Sequence, residues 1–94
     1  MRLYELMLIL KAGADEEQLE ASIGKISDLI TNQGSEIVKI DKWGKRRLAY
    51  EINGNTDGFY VVIEFNAEND ATFEVERVLR ITEEVVRYLL VRKD

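Results

Sequence analysis

Lys42-Trp43-Gly44-Lys45-Arg46-Arg47 places four cations, one indole and one glycine within six consecutive residues. Guanidinium groups pair with phosphate through planar, bidentate hydrogen bonds, and a neighbouring indole offers a face on which a base can stack. The same composition suits a solvated strand edge whose charges deter pairing with another edge. Composition alone does not separate the two readings. The setting makes the segment stand out, because the 94-residue chain carries 18 acids against 13 Lys and Arg, a net charge of −5.

Other chemistries are restricted by what the chain lacks. It has no histidine and no cysteine. That removes the commonest general base, serine–histidine triads, disulfides and thiolate or imidazole metal sites. Ser22, Ser27 and Ser35 therefore have no evident activating partner. The carboxylates fall at helical and surface spacings with no paired acidic motif, so no catalytic residue, metal site or cofactor is expected. A hydrophobic fraction of 46% fits a folded chain, read as a single domain over residues 1–94. No apolar run approaches the roughly 20 residues that cross a bilayer. Met1-Arg2-Leu3-Tyr4-Glu5 does not read as a signal peptide, and the expectation is a cytoplasmic protein.

The elements that must position the basic segment follow from periodicity. Leu3 to Leu10 is apolar except for Glu5 and reads as a central strand. Asp15 caps a helix in which Leu19, Ile23, Ile26 and Ile30 form one stripe, ended at Asn32-Gln33-Gly34. Glu36 to Ile52 reads as a long strand bent at Gly44. The turn-rich stretch Asn53 to Gly58 then leads into a strand from Phe59 to Phe65. Asn69 or Asp70 caps a second helix with Ala71, Val75, Val78 and Leu79 on one face, and Val85 to Val91 closes the chain as a strand. The order βαββαβ predicts an α+β, ferredoxin-like arrangement: a four-stranded antiparallel sheet, order 4-1-3-2, with two helices on one face.

Alternation then assigns faces. Tyr4, Leu6, Leu8, Leu10, Leu48, Tyr50, Ile52, Phe59, Val61, Ile63, Phe65, Val86, Tyr88 and Leu90 are expected to face the helices. Met7, Ile9, Tyr60, Val62, Leu89, Arg47, Val85 and Arg87 are expected on the open face. An apolar open face carrying Met7, Tyr60, Val62 and Leu89 marks a docking surface, to which Trp43 is added. Trp43 is equally well read as a packing cover at the bent edge. A hairpin centred on Asn55-Thr56 puts Arg47 opposite Glu64, and Arg87 is expected beside Glu5, which would give both arginines structural partners. Lys45 and Arg46 have no such partner. The helical segments are acidic, so a polyanion is expected to approach the sheet or its ends.

Several motifs together resemble the bacterial small-subunit ribosomal protein six family: Met1-Arg2-x-Tyr4-Glu5, Gly44-x-Arg46-Arg47-Leu48-Ala49-Tyr50-x-Ile52, Gly58-Phe59-Tyr60, and Leu79-Arg80-Ile81 followed by Val85 and Arg87. The resemblance runs along essentially the whole chain. It implies the same ferredoxin-like fold and a structural, non-catalytic role in the small ribosomal subunit. It also implies binding to the central domain of small-subunit (16S) ribosomal RNA, cooperatively with small-subunit ribosomal protein eighteen. Arg2, Arg46, Arg47, Arg80 and Arg87 match the family's basic positions, and Lys42 and Lys45 join them as RNA-binding candidates from the basic segment itself.

Three alternatives share the topology or the open face. An RNA-recognition motif would need a cation and two aromatics where Asp57, Val61 and Glu64 stand. An acylphosphatase-like enzyme would need a glycine-rich phosphate loop, and Gly13 stands alone. A structural dimer through the open face would show itself in sedimentation.

Overall fold

The computed structural model describes residues 1–13 and 15–94. Its elements are β1 (Arg2–Lys11), α1 (Glu16–Asn32), β2 (Glu36–Ile52), β3 (Asn55–Ala67), α2 (Asn69–Ile81) and β4 (Val85–Arg92). The strands form one sheet in the order β2-β3-β1-β4. Each neighbouring pair is antiparallel. This is the expected ferredoxin-like order read from the other edge.

Local signals start each helix. Asp15 Oδ1 accepts from the Gln18 N–H at 2.8 Å, and the Asp15 N–H donates back to Gln18 Oε1 at 3.3 Å, a reciprocal capping box. Ile23, Ile26 and Ile30 of α1 are buried, with Leu19 packed at their margin. In α2 the cap is Glu68, which makes no side-chain cap bond. Asn69, expected as the cap, instead accepts from the Tyr4 hydroxyl at 3.3 Å and, through its carbonyl, from Thr72 Oγ1 at 2.6 Å.

The core lies between sheet and helices. Tyr4, Leu6, Leu8 and Leu10 of β1 and Val61, Ile63 and Phe65 of β3 meet Ile23, Ile26, Ile30, Val75 and Leu79. Phe65, Leu6, Leu8 and Ile63 have no exposed surface, and each such side chain contributes about 1.5–3 kcal/mol of hydrophobic stabilisation. Tyr4 and Phe65 are cross-strand partners whose rings stack with centroids 5.8 Å apart.

The β2–β3 hairpin departs from the sequence reading. Its turn is Asn53-Gly54, flanked by the pair Ile52 and Asn55, with φ of 49° and 82°. Positive φ at both central residues is the demand of a tight primed turn, and Asn-Gly satisfies it best. The turn therefore lies two residues before Asn55-Thr56. The turn alone would bring Arg47 opposite Tyr60; slips in register instead pair it with Asp57, and Glu64 with Lys39. The slips lie beside Val38, at Trp43 and between Arg47 and Ile52. Gly44, at φ 92°, completes the expected bend.

These slips redirect side chains. Arg46 pairs with Gly58, which pairs with Lys11 on the face opposite the core. A Cβ at Gly58 would collide with Ile9 Cγ2 and meet Leu48 Cδ2 at 3.4 Å. Leu48 is thus buried on the open face, not against the helices. Tyr50, expected in the core, is 62% exposed. On β4 a slip between Ile9 and Leu10 pairs Val85 with Leu10 and packs it against the core rather than outward. The end of β2 that carries Leu48 partly closes the open face, and the absence of a side chain at Gly58 permits this close approach.

Two glycine substitutions separate these effects. Gly58→Ala should destabilise the fold by about 1–3 kcal/mol, because the β-branched Ile9 cannot swing its Cγ2 away. Gly24→Ala, inside α1 with open space around its Cβ position, should stabilise it by about 0.5–1 kcal/mol. Urea unfolding of both variants checks the opposite signs.

Candidate nucleic-acid interface

With acids in excess, the cations that engage no carboxylate are those left for an external anion. Among the described residues, Lys11, Lys25, Lys42, Arg77, Arg92 and Lys93 make ion pairs. Arg2, Lys39, Lys45, Arg46, Arg47, Arg80 and Arg87 make none and are all exposed. Six of the seven RNA-binding candidates therefore remain available. The exception is Lys42, whose cross-strand partner Val61 lies on the helix side and whose Nζ binds Glu20 of α1. Lys39 was missed by sequence reasoning, since it stands outside the dense basic run. Its one signal was an isolated positive charge on an edge strand.

Topology divides these cations between the ends of the sheet. Arg2, paired with Ala67, and Lys39, paired with Glu64, sit toward the end where β1 begins. Lys45, Arg46 and Arg47 sit toward the other end, where β1 finishes and β4 starts. Lys45 lines a shallow hollow with Gly54, Asn55 and Asp57 at the hairpin tip. Arg80, in the last turn of α2, and Arg87 of β4 line a cleft at the same end together with Asn53.

Two side chains are held in place. The Arg46 guanidinium lies over the Trp43 ring, 5.8 Å from its centroid, a cation–π contact worth about 0.5–1 kcal/mol at an exposed site. Trp43 Nε1 in turn donates to Asp41 Oδ2 at 3.3 Å. Arg87 is not beside Glu5. It pairs with Ile9 across the strands, and its Nη1 donates to the Tyr50 hydroxyl at 2.7 Å. The displaced end of β2 reaches across to the far side of the sheet to make that bond.

On the open face, Met7 and Tyr60 are half-buried, Leu89 is 59% exposed, and Val62 is buried at 7%. Met7 and Leu89 are cross-strand partners, and with Ile9 and Arg87 they line a groove of about 310 Å³. Glu5 and Glu64 stand directly opposite each other. Lys93 Nζ bridges them, at 3.5 Å and 2.8 Å. The Glu64 hydrogen bond, followed by the charge of Glu64, holds the Lys93 ammonium above the ordinary lysine value. The apolar face is thereby left without a bare pair of like charges. No group of three or more His, Cys, Asp or Glu side chains among the described residues is arranged to hold a metal ion, and no helix is long and apolar enough to cross a membrane.

Because the folded pKa of Lys93 is raised, its stabilisation is fully present below the unfolded lysine value and fades as pH rises through the folded one. Lys93→Gln should lower the melting temperature at pH 7, and its difference from the parent should shrink above pH 10.5. Thermal melts across that range check both signs.

Comparison with known proteins places the chain and its fold. The family model for ribosomal protein S6 matches residues 3–92. The chain is 44% identical over 94 residues to small ribosomal subunit protein bS6 of Desulfitobacterium hafniense (strain DSM 10664 / DCB-2), covering 100% of this chain and 99% of that protein. It is 45% identical to the protein of the same name from Caldanaerobacter subterraneus subsp. tengcongensis, again covering 100% and 99%. The crystal structure of 30S ribosomal protein S6 from Thermotoga maritima matches with a TM-score of 0.93 at 31% identity, covering 98% of this chain and 87% of that one. The sheet order is that of this solved relative, and the chain belongs to the ribosomal protein S6 family.

Proposed function

We propose that this protein is a structural, non-catalytic component of the small ribosomal subunit that binds the central domain of 16S ribosomal RNA cooperatively with small-subunit ribosomal protein eighteen. The carrying observation is the gathering of Lys45, Arg46, Arg47, Arg80 and Arg87, none in an ion pair among the described residues, at one end of the sheet. Arginines suit this work because a guanidinium stays charged and meets phosphate oxygens in a planar fork. Arg2 and Lys39 extend the basic surface toward the opposite end.

The acid excess supplies the logic of cooperation. Asp15, Glu16, Glu17, Glu20 and Asp28 make α1 a surface that repels phosphate, so RNA approaches from the sheet end. With a net charge of −5, the chain alone gains little from counterion release. A basic partner that touches both protein and RNA supplies the missing charge. The Met7, Tyr60 and Leu89 surface, flanked by Trp43, is the docking face proposed for that partner, with Val62 as its buried floor. Lys42 contributes less, because Glu20 already engages it.

Filter binding with central-domain RNA tests the reading. The chain with protein eighteen should bind far more tightly than the chain alone, and equal affinities would overturn cooperative assembly. In the mixed complex, Arg46→Ala should reduce the slope of log affinity against log salt by about 1. Lys42→Ala should leave that slope at its parent value.

A further inference from the structure

Between the pairs Arg47–Asp57 and Ile52–Asn55, the four residues Leu48, Ala49, Tyr50 and Glu51 of β2 oppose the single residue Thr56. They stand outside the ladder, as surplus residues in a bulge do, and no cross-strand pair holds them. Ala49, Tyr50 and Glu51 are exposed, whereas Leu48 is buried. Leu48 reaches the open face at the gap left by Gly58, where its Cδ2 stands 3.4 Å from the position a Cβ would take, beside Ile9. Two residues on, the Tyr50 hydroxyl accepts from Arg87 Nη1 at 2.7 Å. The segment is thus fixed at both ends by strand pairing and, between them, by one apolar contact and one hydrogen bond. Ile9 and Arg87, the residues beside those two attachments, also line the open-face groove with Met7 and Leu89.

The geometry points to an autoinhibitory strap. In the free chain residues 48–51 lie across one end of the open face, anchored by Leu48 and latched by the Tyr50–Arg87 bond, and a protein partner that docks on that face displaces them. This rests on the partner-docking reading above. Strap and partner compete because a surface laid over Met7 and Leu89 meets Leu48 and Tyr50 at the Ile9 and Arg87 end. Opening the strap breaks no pair of the ladder and leaves Leu6, Leu8, Ile63 and Phe65 buried, so it proceeds locally, without unfolding of the sheet. A partner that binds only the open form has its apparent dissociation constant divided by the open fraction. Removing the latch hydrogen bond therefore raises the open fraction and the partner's affinity by one common factor.

The chain has no cysteine, so one introduced thiol reports its own accessibility. Labelling of Leu48→Cys reads the opening of the strap, and labelling of Val61→Cys, at a fully buried core position, reads the unfolding of the sheet. Leu48→Cys should label many times faster than Val61→Cys. Adding Tyr50→Phe should speed the Leu48→Cys reaction about three- to tenfold, the worth of one hydrogen bond. In the otherwise unaltered chain, Tyr50→Phe should tighten binding of protein eighteen, without RNA, by the same factor. Neither effect should appear in an Arg87→Gln background. Equal labelling rates at the two positions overturn the strap as a separately moving unit. A labelling rate that Tyr50→Phe leaves unaltered overturns the latch. Binding of protein eighteen that is unaltered or weakened by Tyr50→Phe overturns the competition and leaves the docking reading standing, whereas no binding to parent or variant overturns that reading as well.

Discussion

A 17-residue strand, β2, pairs with the 13-residue β3 from Glu36 to Arg47 and again at Ile52, and the setting of the candidate side chains on β2 depends on where the surplus goes. Antiparallel pairing tolerates extra residues only as bulges, and each single-residue bulge inverts the alternation that follows. The slips beside Val38, at Trp43 and between Arg47 and Ile52 therefore decide which charges face the helices and which face outward. They turn Lys42 toward Glu20, set Arg46 over Trp43 and carry Tyr50 to Arg87. The last slip is accommodated because Gly58 has no side chain to obstruct Ile9 and Leu48.

Charge is organised by the same geometry. The acids outnumber the cations, and carboxylates engage Lys42, Lys93 and Arg77, while Arg47 and Lys39 stay without an ion pair among the described residues even though acids face them across the strands. Arginines remain unpaired where β2, α2 and β4 converge at one end of the sheet. Surface ion pairs of this kind contribute little to stability. Their consequence here is in where positive potential survives on a negative protein.

The open face combines apolar and neutralised features in one surface. Met7, Ile9 and Leu89 supply apolar area, while Lys93 suppresses the repulsion between Glu5 and Glu64. Such a surface is suited to a protein partner, and the cation-bearing end beside it to phosphate.

The sequence by itself determined the element order, the capping box at Asp15 and Gln18, the bend at Gly44, the inward faces of β1 and β3, and the family. These rest on short-range periodicity and on motifs that need no knowledge of pairing. It also named six of the cations that stay unpaired. Tertiary structure alone decided the register of the hairpin, and with it the partners of Arg47, Glu64 and Arg87, the open-face burial of Leu48 and the exposure of Tyr50. Apolar alternation reads Leu48 and Tyr50 as core because it presumes one buried face, whereas here the other face is partly covered as well. Lys42 and Lys39 exchanged standing for a related reason: whether a surface charge is free depends on which carboxylate the fold brings beside it, and Glu20 is 22 residues from Lys42 along the chain.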